Sequence, residues 1–247
     1  MAPVSVYDEI EVEKREASID FVCDNPSIPG GEENLALRAA KLFFEKTRCK
    51  GGVSIRLHKN IPHGAGLGGG SSDAASTLLA LNELFDTNLP REALAEMGAA
   101  LGSDVPFFVF GSAAVCRGRG ELVVPERLTK PLALILLKPE FGVPSGWAYS
   151  RWHDSQELPE VSYAPQKIGD SVFFNDLERP VFEKFVFLGD LKKWLVEQPE
   201  VAAALMSGSG STVFAVVKDS GSANSLGERA KKELDPKLWT RACETIG

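Results

Sequence analysis

The N-terminal part of the chain alternates between strand-like and helix-like patterns of apolar residues. Most alternate residues are apolar from Val4 to Val12, and every second residue is apolar from Val53 to Leu57, which predicts strands with one buried face. Ile19 and Val22 suggest a further short strand. Residues 33–46 carry Leu37, Ala40 and Phe44 at helical spacing, so a helix is expected before the strand at Val53.

Two helices are predicted next, after a stretch rich in glycine. Residues 71–85 have apolar positions at helical spacing, and the candidate capping residues are Ser71, Ser72 and Asp73. Pro90 suits the first turn of a second helix, which Gly102 ends. Two consecutive helices interrupt any regular alternation of strand and helix.

The remaining residues mix hairpins, strands and helices. A hairpin is predicted over residues 113–124, a buried strand over 132–138 that ends at Pro139, and a polar loop over 153–169. Later segments predict helices over 177–187, 188–197 and 222–234 and strands over 212–217 and 239–245. This order predicts the α+β class, with a first domain of residues 1–138 and a second of residues 139–247.

Composition and charge narrow the class of partner. The 247 residues carry a formal charge of -7, which argues against a nucleic-acid partner, because phosphate binding favours a basic surface. Leu132 to Leu137 is too short to span a bilayer, so no membrane partner is expected. The four cysteines are scattered, as in a protein of the reducing cytoplasm. A small-molecule substrate fits best.

The most informative segment is a glycine-rich loop between a predicted strand and a predicted helix. Five of the seven residues from Gly64 to Gly70 are glycine. Glycine has no side chain, so its backbone N–H group is unobstructed. At the positive end of a helix dipole, such N–H groups make a binding site for phosphate. Ser71 and Ser72 add hydroxyl groups there.

Three general interpretations compete for this loop. A flexible turn rarely needs so many glycines. Gly64, Gly66 and Gly69 satisfy the G-x-G-x-x-G pattern of dinucleotide-binding folds, but a second helix follows where that fold needs a strand. A Walker P-loop requires a lysine after the last glycine, where this chain has Ser71 and Ser72.

The segment P-x-G-A-G-L-G-G-G-S-S-D-A-A resembles the phosphate-binding motif of the GHMP kinases, in the form typical of diphosphocytidyl-methylerythritol kinases. The resemblance implies a kinase that uses ATP with Mg²⁺, and it places Lys59 and His63 near the adenosine. The implied ATP-binding residues are Pro62, His63, Gly64, Ala65, Gly66, Leu67, Gly68, Gly69, Gly70, Ser71 and Ser72. No metal ligand is assigned.

Two further segments match motifs of the same family. G-S-D-V-P at residues 102–106 resembles the motif of the catalytic aspartate, which implies that Asp104 is the general base, although such an aspartate is more often a helix cap. M-S-G-S-G-S-T-V-F at residues 206–214 resembles the third motif, a glycine loop beside the active site.

A last segment, F-F-N-D-L-E at residues 173–178, resembles the substrate-binding part of the family. It implies contacts from Phe173, Asn175 and Asp176, with one aromatic ring stacked on the cytosine of a cytidine diphosphate-linked methylerythritol. Core packing is the expected role of the other phenylalanine, and Phe173 is the preferred stacking ring.

The family resemblance also implies the fold and the reaction. A ribosomal-protein-like N-terminal domain and a ferredoxin-like C-terminal domain are expected, and ATP would phosphorylate the 2-hydroxyl of the substrate in non-mevalonate isoprenoid synthesis. Another GHMP small-molecule kinase and a catalytically impaired ATP-binding module are the alternatives. Full-length relatives begin with a P-A-K-I-N-L strand and a D-G-Y-H hairpin that have no match here, so we expect an N-terminally truncated chain of low activity, without a catalytic lysine.

Overall fold

The computed structural model describes residues 1–128, 130–169 and 171–246, with only the backbone of Ser171. Contacts divide the chain into two units. The second unit contains Gly64–Leu67 and Lys130–Thr245, and the other described residues belong to the first. A four-residue piece of the glycine-rich loop thus belongs to the second unit, although its sequence neighbours on both sides belong to the first.

The first unit combines a three-stranded sheet, four helices and a hairpin. Its elements are β1 (Glu9–Arg15), β2 (Ile19–Cys23), α1 (Leu35–Thr47), β3 (Gly52–His58), α2 (Gly69–Leu84), α3 (Arg91–Leu101), α4 (Val105–Phe110), β4 (Ala114–Arg117) and β5 (Leu122–Pro125). The strand order is β1-β3-β2, with β1 antiparallel and β2 parallel to β3. The predicted hairpin corresponds to β4 and β5, which pair antiparallel.

Helix α1 illustrates how local sequence fixes an element. The Asn34 side chain accepts hydrogen bonds from the N–H groups of Ala36 and Leu37 and so caps the helix. The apolar face of α1 includes Ala40 and Phe43, and Ala74 and Ala75 of α2 lie in the same core, where small side chains let helices approach closely. This core supports the start of α2, directly after the glycine-rich loop.

The second unit is built on a four-stranded antiparallel sheet. Its elements are β6 (Ala133–Lys138), α5 (Ser145–Ser150), β7 (Gln166–Ile168), β8 (Ser171–Phe173), α6 (Glu178–Lys184), α7 (Val186–Val196), β9 (Val201–Met206), β10 (Val213–Val217), α8 (Ala223–Glu233) and β11 (Trp239–Glu244). The strand order is β11-β6-β10-β9. Along the chain, helices follow β6 and β10, whereas β9 leads directly to β10. This is the β-α-β-β-α-β pattern of ferredoxin-like domains, so that prediction is confirmed.

The expected domain boundary after residue 138 needs a correction. Strand β6 pairs with β10 and with β11, so its backbone hydrogen bonds belong to the sheet of the second unit. Its side chains Ile135 and Leu137 lie in the core of that unit. The second unit therefore begins before β6, because a strand between two others cannot be separated from its sheet.

Candidate active site

The contacts divide the glycine-rich loop into two halves. Gly64–Leu67 contacts residues of the second unit, and the segment that begins at Gly68 contacts residues of the first. Of the residues that precede the loop, Pro62 is half-buried and His63 is exposed. The two halves of the loop therefore have different neighbours.

The second half leads into the N-terminus of α2. Gly68 has φ +67, a conformation that favours glycine, and a Cβ atom there would lie 2.7 Å from the ring of Phe108, which would have to move. Gly68 provides no side-chain cap for α2. The Ser72 hydroxyl donates to the carbonyl of Gly69 at 2.8 Å. The first N–H groups of a helix lack partners within it and can bind a phosphate, so phosphate binding here stays a prediction.

Asp104 lies in the same unit as this helix start. A Cβ atom on Gly102 would be 4.0 Å from the Ser71 hydroxyl oxygen, so the turn that carries Asp104 lies beside the beginning of α2. Although Asp104 occupies the N-cap position of α4, its side chain makes no capping hydrogen bond within the described residues. Within that part of the chain, the carboxylate therefore does not act as a side-chain cap of α4.

The surroundings of Asp104 suit a proton acceptor. Solvent reaches the residue, but protein atoms crowd its carboxyl group, and this desolvation raises the pKa of Asp104 above its ordinary value. Gly120, in the turn between β4 and β5, lies against it: a Cβ atom there would be 3.5 Å from Oδ1 of Asp104. A raised pKa strengthens a carboxylate as a general base.

A buried group of charges, here called the Lys59 cluster, consists of Lys59, Asp8 and Asp73. The Lys59 ammonium donates to Oδ2 of Asp73 at 2.8 Å and to a carboxylate oxygen of Asp8. The three side chains are 4%, 2% and 6% exposed for Lys59, Asp8 and Asp73, respectively. Two carboxylates thus enclose the Lys59 ammonium, and the expected place of Lys59 near the adenosine stays a prediction.

The Lys59 cluster fixes both ends of the segment that contains the loop. Oδ1 of Asp8 accepts the N–H groups of Asn60 at 2.6 Å and Ile61 at 2.8 Å, just before the loop, and Asp73 lies in the second turn of α2. Burial raises the pKa of Asp73 to about 7; the Lys59 ammonium opposes this rise, and the neighbouring carboxylate of Asp8 adds to it. We infer that the cluster holds an excess negative charge when both carboxylates are ionised.

Sequence analysis missed Asp8 and considered Asp73 only as a cap. One signal for Asp73 was available: Asp73, Thr77 and Leu81 follow each other at intervals of four residues, which places a carboxylate on a buried face of α2. A buried carboxylate requires a partner. Asp8 lies on the side of the period-2 pattern that is otherwise apolar between Val4 and Val12, but its partner Lys59 is 51 residues away and the pattern does not reveal it.

The first half of the loop rests on the third family motif. The Ser207 hydroxyl donates to the Gly66 carbonyl at 2.9 Å, and the Thr212 N–H donates to the Ala65 carbonyl at 3.0 Å. Gly66 has φ +71, and a Cβ atom there would lie 2.3 Å from the Ser207 carbonyl oxygen. Backbone meets backbone at this position, so only glycine fits.

The predicted substrate-binding segment has mixed surroundings. Phe173 is half-buried at the end of β8, whereas Phe174 is 60% exposed. Asp176 is exposed. Both amide hydrogens of Asn175 are used inside the protein, on the carbonyls of Met206 and Gly208. Substrate contact by these residues stays a prediction.

Metal-binding clusters and membrane-spanning helices are both absent from the described residues. Across residues 1–128, 130–169 and 171–246, no group of three or more His, Cys, Asp or Glu side chains is arranged to hold a metal ion. In that same part of the chain, no helix has the length and apolarity needed to cross a membrane.

Two family models match the chain. The model of the GHMP kinases N terminal domain matches residues 34–112, and the model of the GHMP kinases C terminal matches residues 165–235. The first match includes the glycine-rich loop and Asp104, and the second includes the third motif.

Individual proteins with similar sequences carry a more specific name. The chain is 39% identical over 250 residues to the 4-diphosphocytidyl-2-C-methyl-D-erythritol kinase of Methylacidiphilum infernorum, covering 100% of this chain and 87% of that protein. It is also 39% identical over 223 residues to the enzyme of the same name from Geobacter metallireducens, covering 87% of this chain and 78% of that protein.

Solved structures show the same relationship. A crystal structure of 4-(cytidine 5'-diphospho)-2C-methyl-D-erythritol kinase superimposes with a TM-score of 0.77 at 34% identity, covering 100% of this chain and 88% of that one. The homoserine kinase of Cytophaga hutchinsonii superimposes with a TM-score of 0.66 at 16% identity, covering 97% and 85%, which shows a shared fold alone.

Proposed function

Because the chain belongs to the GHMP kinase family, we propose that it transfers the γ-phosphate of ATP to the 2-hydroxyl of 4-diphosphocytidyl-2-C-methyl-D-erythritol. The substrate is the one in the name of relatives that are 39% identical to it. The product would serve the non-mevalonate synthesis of isoprenoid precursors. The observation that carries the proposal is that the turn with Asp104, whose carboxylate makes no capping hydrogen bond within the described residues, lies beside the start of α2.

In the proposed reaction, the oxygen of the substrate hydroxyl attacks the γ-phosphorus, and Asp104 accepts the proton of that hydroxyl. A new P–O bond forms, the bond to the β-phosphate oxygen breaks, and ADP leaves. In the loop Pro62 to Ser72, the residues after Pro62 provide backbone N–H groups for the phosphates, and the positive end of the α2 dipole favours the charge of the phosphates. Such positioned donors stabilise the transferring phosphoryl group.

Mg²⁺ accompanies ATP in this proposal and would neutralise part of the phosphate charge. Magnesium keeps several waters and binds phosphate oxygens with only one or two carboxylates, so it needs no dedicated cluster of protein ligands. The backbone of the glycine-rich loop and the oxygen-bearing side chains near it are compatible with such a complex. We assign no protein ligand to the metal.

The test compares Asp104→Asn with the parent chain in a coupled assay of ADP release with the cytidine substrate. We expect turnover to fall by about 10²–10⁴-fold, the usual contribution of a general base, with the Kd of a non-hydrolysable ATP analogue nearly unchanged. Asp190→Asn, which changes an exposed carboxylate on α7, is the control and should retain full turnover.

Two outcomes would contradict the proposal. Turnover of Asp104→Asn within a few-fold of the parent would make Asp104 a structural residue of the turn. Phosphorylation of homoserine or mevalonate in place of the cytidine substrate would identify another small-molecule kinase. Binding of the ATP analogue without turnover of any of the three would favour the alternative of a nucleotide-binding module.

A further inference from the structure

The segment Asn175–Glu178 holds the end of strand β9. The Asn175 amide donates to the carbonyls of Met206 at 2.7 Å and Gly208 at 2.8 Å. Oε1 of Glu178 accepts the Met206 N–H at 2.8 Å. Three hydrogen bonds from this segment therefore fix the point where β9 leads into residues 207–211, here called the C-terminal glycine loop.

Glu178 is itself fixed by a buried ion pair. Its Oε2 accepts from the Lys192 ammonium at 2.6 Å, and that ammonium also donates to the Ser162 carbonyl at 2.6 Å. Both charged side chains are 2% exposed. Because the pair is buried and each carboxylate oxygen has a partner, Glu178 has little freedom to move.

The C-terminal glycine loop in turn carries the first half of the glycine-rich loop. Ser207 donates to the carbonyl of Gly66, and the backbones of the two residues are in direct contact. The Ser207 carbonyl also accepts the N–H of Gly210 at 2.9 Å, which closes a tight turn. A shift of Ser207 would therefore displace Gly66.

We propose that Asn175 and Glu178 are positioning residues for the nucleotide: by holding the C-terminal glycine loop, they set the backbone of Gly64–Leu67 for the ATP phosphates. This inference rests on the proposed function, because it takes the glycine-rich loop as the phosphate site. It also differs from the sequence-based role of Asn175 as a substrate ligand. The two roles predict changes in different kinetic constants.

Asn175→Ala tests the proposal, with Gln166→Ala as a matched control. The Gln166 amide donates to the Ala204 carbonyl at 2.8 Å and accepts the Ala204 N–H at 3.0 Å, so it also holds β9 by side-chain hydrogen bonds, but away from the glycine loop. Loss of two hydrogen bonds from Asn175 should raise the KM for ATP by about tenfold. The KM for the cytidine substrate should stay within about twofold.

Gln166→Ala should leave both KM values near those of the parent, even where it lowers the melting temperature as much as Asn175→Ala does. Equal changes in the KM for ATP in the two variants would reduce Asn175 to a structural residue. A rise in the KM for the cytidine substrate alone would restore its role as a substrate ligand. Either result would overturn the proposal.

A second pair of variants covers the case in which Asn175→Ala does not fold. Ser207→Ala removes the hydroxyl that donates to Gly66, and Ser207→Thr keeps a hydroxyl at the same position. We expect the alanine variant to bind an ATP analogue several-fold more weakly, as loss of one hydrogen bond gives, and the threonine variant to recover most of the affinity. Equal affinity in both variants would contradict the proposed link.

Calorimetry with the ATP analogue separates this inference from the proposed function. The titration needs no cytidine substrate, so it reports on the phosphate site alone. If the parent chain fails to phosphorylate the cytidine substrate but Asn175→Ala still weakens analogue binding relative to Gln166→Ala, the proposed substrate is wrong and the positioning role stands.

Discussion

The two halves of the glycine-rich loop are held by different kinds of interaction. Gly64–Leu67 is held by uncharged groups: a serine hydroxyl, a backbone N–H and close backbone contact with the C-terminal glycine loop. The segment that begins at Gly68 follows a helix start anchored by the Lys59 cluster, in which one ammonium faces two carboxylates. The first arrangement depends on shape, and the second depends on charge.

Because the two halves are held differently, we expect them to tolerate different substitutions. A contact between two backbones cannot adapt, so an added methyl group should disturb the first half strongly. A buried cluster of charges should instead respond to pH and to the loss of a charged partner. The predictions below separate these two behaviours.

The largest effect is expected from Lys59→Met. It leaves two buried carboxylates without a cation, and removal of one partner from a buried ion pair typically costs about 3–5 kcal/mol. Urea unfolding measures the change, and Lys192→Met, which leaves only Glu178 unpaired, is the control and should lose less. Unchanged stability of Lys59→Met would show that the cluster does not anchor the loop.

The next effect concerns Gly66→Ala and Gly68→Ala. Both residues have positive φ, which costs about 1–3 kcal/mol for a residue other than glycine. The Gly66 methyl would also meet the carbonyl of Ser207, whereas the Gly68 methyl would meet the ring of Phe108, a side chain that can rotate aside. Thermal unfolding should therefore show the larger loss for Gly66→Ala, and the reverse order would contradict the comparison.

Asp73→Asn should change how stability depends on pH. Because the pKa of Asp73 is raised from 3.8 to about 7, the folded chain keeps a proton that the unfolded chain releases between these values. The Asp73 contribution is thus complete below pH 4 and is lost as the pH rises towards 7. The parent should lose stability relative to the variant by at most about 1.4 kcal/mol per pH unit in this window.

Urea unfolding of parent and Asp73→Asn at several pH values between 4 and 8 measures this difference. Asp104 and Glu178 also have raised pKa values, and they make the stability of both proteins fall with rising pH to a similar extent. Only the difference between the two curves of stability against pH is therefore informative. Parallel curves would mean that the cluster does not hold a proton near neutral pH.

Gly70→Ala should have the smallest effect on stability. Gly70 lies in the first turn of α2, and an added Cβ atom would lie 3.6 Å from Leu35, an ordinary contact. Replacement of glycine by alanine in a helix should raise stability by about 0.5–1 kcal/mol. Affinity for the ATP analogue should nevertheless fall if phosphates approach this backbone, whereas unchanged affinity would place them elsewhere.

Much of the fold could be predicted from local patterns. The helix expected over residues 71–85 is α2, Gly69–Leu84, because its apolar spacing and glycine-rich start are both local signals. Helix α4, Val105–Phe110, was missed, because six consecutive apolar residues have no periodicity and follow a turn motif. Strand β9 was missed too, since its alanine-rich sequence has weak strand propensity.

The site could be predicted only in part, for a physical reason. The density of glycine marks a phosphate loop without knowledge of its neighbours. The groups that hold the loop lie far away in sequence: Lys59 and Asp8 are 51 residues apart, and Ser207 and Gly66 are 141 residues apart. Such partners depend on tertiary packing, which the spacing of residues along one segment does not reveal.

The assignment of Gly64–Leu67 to the second unit has a consequence for dissecting the protein. A fragment of residues 130–246 would contain the whole four-stranded sheet but would lack the four residues that cover Ser207 and Thr212. A fragment of residues 1–128 would carry those residues without their supports. A single cut in the chain therefore cannot separate the two units, because the second unit is made of two segments that are not adjacent in sequence.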